Sequence, residues 1–243
     1  MKIFTFIIIA CLALILIEGA QLFWRIRGSA DITEWSKTFS HENGASSYTV
    51  LVVGDSTAAG VGASKPEESI AGRLFTDFPS ISLMNVGEAG LRLANVIAKL
   101  ETVNDRHFNL VIIQAGGNDV VRLTPLEDLE KNLEEVFLRA LKIGDQVAFL
   151  PAGNIGLAPI FPWPLNWLLT ARARKTHEIY LRQVAKHNIL FADFFNERKD
   201  DIFATDIKRY YAPDVFHPSG EGYRLWYETF GKALAESGVR IPR

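Results

Sequence analysis

From residue 47 onward, apolar stretches alternate with segments of helical spacing. Five stretches predict strands: "YTVLVVG" (48–54), "ISLMNV" (81–86), "NLVIIQAGG" (109–117), "QVAFLPA" (146–152) and "NILFAD" (188–193). Five segments with apolar residues every three or four positions predict helices at 66–78, 92–103, 125–144, 172–187 and 218–237. Strands that are apolar throughout and alternate with helices predict a mainly parallel sheet covered on both faces.

The N-terminus departs from this pattern, because it holds one long apolar run. The uncharged stretch "IFTFIIIACLALILI" (3–17) reaches the roughly 20 residues needed to cross a bilayer only if it continues through Glu18 to Trp24. We expect residues 3–24 to enter a membrane as an uncleaved anchor. A cleaved signal peptide is the alternative, although Glu18 fits poorly three positions back from a cut after Ala20. A buried core helix is disfavoured, since the run has no polar face.

Residues 28–46, "GSADITEWSKTFSHENGAS", are polar and irregular, which is typical of a linker. The linker separates the N-terminal anchor or signal segment (1–27) from one predicted domain at 47–240, a length that suits a single domain. The basic residues on the two sides of the apolar run are nearly balanced, and the short N-terminal tail favours a domain outside the cytoplasm. Cleavage would instead release a secreted domain.

Composition and charge exclude some classes of partner. The chain is 48% hydrophobic and 22% charged, as in globular domains, and its formal net charge of -2 provides no attraction to nucleic acid phosphates. We therefore expect no nucleic acid partner. Cys11 is the single cysteine, so the chain has neither an internal disulfide nor a cysteine-rich metal site. The acidic residues show no ligand spacing, and we expect no metal and no cofactor.

The first predicted strand ends in "GDS", which places Ser56 at the carboxyl end of a buried strand. In parallel sheets the loops at this edge form the functional sites. A turn or helix-cap serine explains the tripeptide as well. Since a serine hydroxyl is a poor nucleophile without a base, a catalytic role requires a histidine at the same edge.

Of the five histidines, His217 has the most suitable context for such a base. The stretch "APDVFHPSGEGY" (212–223) places Asp214 three residues before it, in a proline-bounded loop ahead of the last predicted helix. A carboxylate at this spacing can hold one ring nitrogen and leave the other free for a hydroxyl. A solvated loop pair explains the spacing as well, and Asp193 and Asp206 stay open as alternative acids.

Two further strand ends offer hydrogen-bond donors for an oxyanion. "NVGEAG" (85–90) ends at Gly90, whose backbone N–H is not obstructed by a side chain. "AGGND" (115–119) carries Asn118, whose side-chain amide can donate to a developing negative oxygen. A tight turn also explains "GGND", because Gly, Asn and Asp favour turns by themselves.

Taken in order, "GDS", "NVGEAG", "GGND" and "DVFH" resemble the four sequence blocks of the SGNH hydrolases, also called GDSL esterases and lipases. The resemblance spans roughly residues 48–236. It implies a flavodoxin-like three-layer α/β/α sandwich with a central, mainly parallel five-stranded sheet. Thr57 departs from the family pattern, because a bulky apolar residue often follows the family's serine.

The same resemblance implies a set of catalytic roles. Ser56 would be the nucleophile, His217 the general base, Asp214 its orienting acid, and the Ser56 N–H, the Gly90 N–H and the Asn118 side chain the oxyanion hole. The function implied is a carboxylic ester hydrolase that works through an acyl-enzyme and needs no cofactor. The alternatives are an acyltransferase on the same triad and a non-catalytic binding module on the same fold.

The substrate has to be argued from "GNIGLAPIFPWPLNWLL" (153–169), an apolar, aromatic and proline-interrupted stretch. We interpret Phe161, Trp163 and Trp167 as an acyl-chain wall or as a surface that rests on a bilayer. Packing of these rings over the core is the alternative. An anchored enzyme with such a stretch suits lipid-derived acyl esters as its partners, and short acyl esters, including acetylated sugars, are the rival substrates.

Overall fold

The computed structural model describes residues 37–242 and, before them, Gly19 alone. Its strands are β1 (Thr49–Gly54), β2 (Ser82–Asn85), β3 (Phe108–Gln114), β4 (Gly144–Phe149) and β5 (Leu190–Phe191). They form one sheet in the order β2-β1-β3-β4-β5, and every pair of neighbours is parallel. The predicted five-stranded parallel sheet is therefore confirmed.

Helices follow or connect the strands. The α-helices of the described residues are α1 (Ser56–Ala59), α2 (Ile70–Asp77), α3 (Leu93–Glu101), α4 (Gly117–Val121), α5 (Leu126–Ile143), α6 (Leu165–His187), α7 (Ile207–Tyr210) and α8 (Gly220–Ser237). Short 3-10 helices cover Pro66–Glu68, Ile155–Leu157 and Ile202–Ala204. The two-residue alternation of strand side chains then decides which helices cover which face of the sheet.

The hydrophobic core lies on both faces of the sheet. Leu51 and Val53 of β1 belong to a cluster completed by α3, α5 and α6, whereas Val50 and Val52 belong to a cluster completed by α2 and α8. All four side chains are fully buried. Because the apolar strands have no solvent-facing side, helices have to cover both faces, which gives the three-layer arrangement.

Some predicted boundaries were wrong. The helix predicted at 172–187 begins earlier, at Leu165, because Leu169 packs with Val120 and Ala173 in a small cluster of its own. Pro164 precedes its first turn, where a missing N–H costs nothing. Of the strand predicted at 188–193, only Leu190–Phe191 pairs with β4.

The predicted membrane segment, residues 3–24, lies outside the described residues. Within the described part of the chain, no helix combines the length and the apolar character that crossing a bilayer requires. The predicted linker, 28–46, is described from residue 37 onward. There His41 forms an antiparallel bridge with Leu83 of β2, through two hydrogen bonds of 2.8 Å. The division of the chain into anchor, linker and domain stays a prediction.

Candidate active site

A sharp turn at the end of β1 positions Ser56. Gly54 makes the turn possible, because a Cβ there would lie 1.8 Å from the carbonyl oxygen of Gln114 in β3. Asp55 then caps α1, since its Oδ1 accepts the backbone N–H of Thr57 at 2.9 Å and the Thr57 hydroxyl at 2.8 Å. Ser56 is the first residue of α1, so its backbone N–H has no acceptor within the helix.

The hydroxyl of Ser56 lies at one end of a hydrogen-bonded chain of three side chains. His217 Nε2 is 2.9 Å from Ser56 Oγ, and His217 Nδ1 is 2.6 Å from Asp214 Oδ2. All three residues are buried. The fold thus brings together two parts of the chain that are 161 positions apart, in the order hydroxyl, imidazole, carboxylate.

The loop that carries His217 is held rigidly against α1. Tyr211 and Pro218 form an isolated bridge across the base of the loop, and the N–H of Ala212 donates to the carbonyl of His217 at 2.8 Å. Gly62 lets this loop approach, because a Cβ at that position would meet the Pro218 carbonyl at 2.4 Å. The imidazole is therefore positioned by backbone contacts as well as by its carboxylate.

The surroundings of Asp214 suit a carboxylate that binds a protonated imidazole. Its Oδ1 accepts the backbone N–H groups of Phe216 and His217, both at 3.0 Å. Burial by itself would raise the pKa of Asp214, but the hydrogen bond and charge of His217 and these backbone donors outweigh it, and the pKa lies below its ordinary value. Asp214 is therefore ionised at neutral pH and can stabilise an imidazolium.

Asn118 lies in α4, on the cleft that Ser56 and His217 line. Its Nδ2 donates to the carbonyl of Leu91 at 3.0 Å, which fixes the amide and leaves its second N–H for another acceptor. The neighbouring Asp119 accepts the N–H of Leu93 at 2.9 Å. Together these bonds tie α4 to the loop after β2, in which Gly90 has a left-handed φ of 81°. Gly90 itself is absent from the described residues that line the cleft.

Asp55 is a further buried acid that the sequence analysis did not single out. Burial raises the pKa of Asp55 to about 6, against the hydrogen bonds from Thr57 and the charge of His217, with the nearby Asp119 adding to the rise. The residue lines the cleft beside Ser56. Its place in "GDS" was the available signal, but nothing in the tripeptide indicates how deeply the carboxyl is buried.

The cleft beside Ser56 has a volume of about 950 Å³, including the space that opens to solvent. Its apolar wall consists mainly of Ile155, Phe194, Ile202, Phe203, Phe216 and Trp226. These residues come from the segment after β4, the segment after β5, the loop before α7, the histidine loop and α8. Sequence reasoning missed them, because no local pattern relates residues from such distant parts of the chain.

The aromatic residues predicted to contact substrate lie farther out. Phe161 packs edge-on against Phe216, with ring centroids 5.7 Å apart, whereas Trp163 and Trp167 project into solvent. None of the three is among the described residues that line the cleft. Their role in substrate binding stays a prediction, and the cleft wall offers other side chains for it.

The alternative acids have other partners. Asp193 lies 2.9 Å from His177 Nε2, and Asp206 caps α7 by accepting the N–H of Arg209 at 3.2 Å. Among the acidic side chains of the described residues, Asp214 alone is hydrogen-bonded to His217. The same part of the chain contains no cluster of three or more His, Cys, Asp or Glu placed to hold a metal ion.

Comparison with known proteins gives a family match and a shared fold. The model of the GDSL-like lipase/acylhydrolase family matches residues 52–225. No curated protein sequence matches the chain. A lipolytic protein of the G-D-S-L family from Veillonella parvula has a similar structure, with 19% identity and a TM-score of 0.61 over 78% of this chain and 99% of its own.

Two other solved structures are similar at comparable distance. TesA shares 20% identity, with a TM-score of 0.60 over 78% of this chain and 99% of its own. The acetylxylan esterase Axe2 from Geobacillus stearothermophilus shares 21% identity, with a TM-score of 0.56 over 82% of this chain and 97% of its own. At such low identity these structures establish a common fold and nothing about substrates.

Proposed function

The chain belongs to the GDSL-like lipase/acylhydrolase family, and from this membership we propose that it hydrolyses carboxylic esters through Ser56, His217 and Asp214. One observation carries the proposal above all others, namely the hydrogen-bonded chain from Ser56 Oγ through His217 to Asp214. A buried serine needs only one partner, whereas a nucleophile needs a base that is itself oriented by a third group. Ser56 has this second arrangement.

In the first step, Ser56 Oγ attacks the carbonyl carbon of the ester while its proton passes to His217 Nε2, 2.9 Å away. His217 Nδ1 keeps its proton and donates it in a hydrogen bond to Asp214, which stabilises the imidazolium. The imidazolium then returns a proton to the departing alcohol as the carbon–oxygen bond breaks. An acyl group remains on Ser56.

The negative oxygen formed in this step needs preorganised donors. We assign the backbone N–H of Ser56 and the free N–H of the Asn118 amide to this role, with the N–H of Gly90 as the third predicted donor. The bond from Asn118 to Leu91 supports the assignment, because it holds the amide in place before the substrate arrives. In the second half of the reaction, His217 activates a water that hydrolyses the acyl-enzyme.

The cleft favours an ester with an apolar acyl chain. Its wall is rich in aromatic and aliphatic side chains, and burial of each methylene of a substrate chain contributes about 0.8 kcal/mol. Lipid-derived esters fit such a wall better than acetylated sugars, which stay the rival substrates. Acyl transfer to an alcohol or amine would use the same acyl-enzyme.

We also propose that residues 3–24 hold this domain at a membrane, with the domain on the outer face. The uncharged run at 3–17 supports the membrane contact, because it reaches the length of a span when it continues to Trp24. Protease treatment of intact cells tests it: digestion of the domain without lysis is the expected result, and digestion only after lysis would place the domain inside.

Hydrolysis of p-nitrophenyl esters, from acetate to palmitate, tests the proposed chemistry in the full chain. The full chain is compared with Ser56→Ala and with the matched control Ser64→Ala, which removes an exposed hydroxyl. We expect hydrolysis in the wild type and the control and none in Ser56→Ala, with the longer acyl chains preferred. Equal hydrolysis by Ser56→Ala would refute the triad. A preference for acetate would instead favour the short-acyl substrates.

A further inference from the structure

Two tryptophans and a leucine around the start of α6 are exposed, and the two tryptophans are the most exposed large hydrophobic side chains of the described residues. Trp163 is 73% exposed, Trp167 is 68% exposed and Leu168 is 48% exposed. We call these three side chains the tryptophan tip. Large aromatic side chains are seldom so exposed unless they meet a partner, since each can remove a large apolar area from water.

The packing of α6 explains why the tip faces outward. Leu169 and Ala173 lie on one face of the helix and are buried with Val120 in the protein interior. Trp167 and Leu168 precede Leu169 by two and one positions, respectively, and a rotation of 100° per residue directs them away from that face. The same packing that stabilises the helix therefore exposes the tip.

The tip continues the apolar wall of the cleft. The segment that leads from β4 to α6 begins in this wall, at Ile155 and Ala158, and ends at Trp163. Between them, Phe161 packs on Phe216, which also lines the cleft. The chain from the cleft wall to the tip, residues 155–163, is thus apolar throughout, and we call this segment the apolar path.

The first residues of the continuous described chain join the domain near the carboxyl ends of the strands, where the cleft and the tip also lie. His41 pairs with Leu83 in an antiparallel bridge, and the N–H of Asn85 donates to Ser40 Oγ at 3.3 Å. Going back along the chain from His41 therefore leads toward the carboxyl end of β2. The cleft and the tip also follow the carboxyl ends of strands, so the described chain begins on the side where they open.

The connection to the apolar run is short. Residues 25–36 separate Trp24 from the first residue of the continuous described chain, Lys37, and twelve residues reach at most roughly 40 Å when extended. This reach is about the diameter of a domain of this size. If residues 3–24 lie in a bilayer, the point where the described chain begins stays within about one domain diameter of the lipid surface.

Charge on the same helix face also suits a lipid surface. Lys175 follows Leu168 by seven positions, which is two helical turns, and is exposed. Arg174, seven positions after Trp167, is also exposed but pairs with Glu197 at 2.6 Å, so Lys175 supplies the charge. Aromatic side chains prefer the interface between headgroups and hydrocarbon, whereas basic side chains are attracted to anionic headgroups. If α6 enters the interface with its first turn, the aromatic side chains reach the interface and the basic side chain stays at the headgroups.

We propose that the tryptophan tip is a membrane-docking surface, which inserts Trp163, Trp167 and Leu168 among lipid headgroups and turns the cleft toward the bilayer. The contact depends on the exposed side chains and not on the chemistry of Ser56. Its consequence for the proposed hydrolase is that an ester dissolved in the bilayer can reach Ser56 along the apolar path.

Quenching of tryptophan fluorescence by brominated lipids tests the contact directly. The full chain and Trp163→Phe/Trp167→Phe are placed in phosphatidylcholine–phosphatidylglycerol vesicles, with and without bromine on the acyl chains. Docked tryptophans are already quenched in brominated vesicles, so the substitution should remove a smaller fraction of the emission there than in plain vesicles. The same fraction lost in both, or a larger fraction lost in brominated vesicles, would overturn the proposal. Phenylalanine at two solvent-exposed positions keeps the fold intact.

A second readout compares the hydrolysis of an ester dissolved in the vesicles with that of water-soluble p-nitrophenyl acetate. For Trp163→Ser/Trp167→Ser we expect the ratio of the two rates to fall on the order of tenfold, the partitioning that a buried aromatic side chain supplies. The matched control is Leu138→Ser/Leu141→Ser, an exposed apolar pair on α5, and it should keep the wild-type ratio. An equal fall in both double variants would overturn the proposal.

The two readouts separate docking from catalysis. If the wild type hydrolyses neither ester but the bromine effect is present, the proposed function fails and the docking surface stands. If both esters are hydrolysed and the bromine effect is missing, the docking surface fails and the hydrolase stands.

Discussion

The two ends of the sheet carry the same residue types in nearly the same geometry. At the amino end, His107 Nε2 lies 2.7 Å from Asp145 Oδ1, and Asn109 donates to the other oxygen at 3.1 Å. At the carboxyl end, His217 Nδ1 lies 2.6 Å from Asp214. The side chains of the first pair are 61% and 53% exposed, and those of the second pair are 6% and 0% exposed.

The comparison shows that burial and a third partner separate a catalytic candidate from a surface ion pair. Water screens the amino-end pair, and exposed pairs of this kind contribute between nothing and about 1 kcal/mol. The hydrogen bond of His107 lowers the pKa of Asp145, whereas Asp214 needs several donors to reach a lowered pKa against burial. At the carboxyl end alone, the second ring nitrogen reaches a serine.

The strongest test of this contrast replaces each of the two histidines by alanine in a separate variant. His217→Ala removes the proposed base, and we expect kcat/KM for p-nitrophenyl esters to fall roughly 10⁵-fold or more. His107→Ala removes only an exposed side chain and should leave kcat/KM within twofold of the wild type, as roughly expected for a surface position. Similar losses in both variants would show that the buried chain is not the catalytic unit.

The acids provide the next largest contrast. Asp214→Ala leaves the imidazole without its orienting carboxylate, and we expect a loss of roughly 10⁴-fold in kcat. Asp145→Ala and Asp206→Ala should retain the wild-type rate, since these carboxylates contact His107 and the start of α7. Steady-state kinetics of the three variants measures these rates. If Asp214→Ala and Asp206→Ala lose equal activity, Asp214 is not the acid.

A pair of asparagines tests the two ends through different readouts. Asn118→Ala removes the proposed oxyanion donor and should lower kcat roughly 10²–10³-fold, with little change in KM. Asn109→Ala should instead lower the stability by about 1 kcal/mol, because its Oδ1 accepts the N–H of Thr49 at 2.8 Å. Kinetics and urea unfolding of both variants separate the effects. A large loss of kcat in Asn109→Ala would contradict the assignment.

The last contrast is the pH dependence of stability, which at the carboxyl end is due to Asp55. Its pKa is raised to about 6 by burial, so the folded protein keeps a proton that the unfolded chain has released. The free energy of unfolding should therefore fall as the pH rises from roughly 4 to 6, by on the order of 3 kcal/mol. Asp55→Asn can still cap α1 and should remove this fall, as measured by urea unfolding across the range.

Asp145 should behave in the opposite way. Since the hydrogen bond of His107 lowers its pKa, the pair stabilises the folded protein above the ordinary pKa of an aspartate, and this contribution is lost as the pH falls. Asp145→Asn should therefore flatten the acid side of the stability profile. Profiles that change in the same direction for Asp55→Asn and Asp145→Asn would contradict the burial difference between the two ends.

Much of the fold was predictable from local sequence, because a parallel sheet buried on both faces needs uninterrupted apolar strands. The predicted stretches 48–54 and 81–86 contain β1 and β2, and the sheet has the predicted number of strands. The start of α6 was not predictable in this way, because Pro164 and the aromatic residues after it are also typical of loops. Its helical conformation depends on packing with Val120.

The sequence by itself determined the number of strands, the longer helices apart from the start of α6, and the short blocks that carry Ser56, Asn118, Asp214 and His217. These depend on neighbouring residues and simple periodicity. Only the tertiary structure decided which aspartate contacts His217, how deeply Asp55 is buried and which side chains line the cleft. Those properties arise where segments far apart in the chain exclude water together. No local sequence pattern predicts this exclusion of water, because it depends on distances between residues that are far apart in the chain.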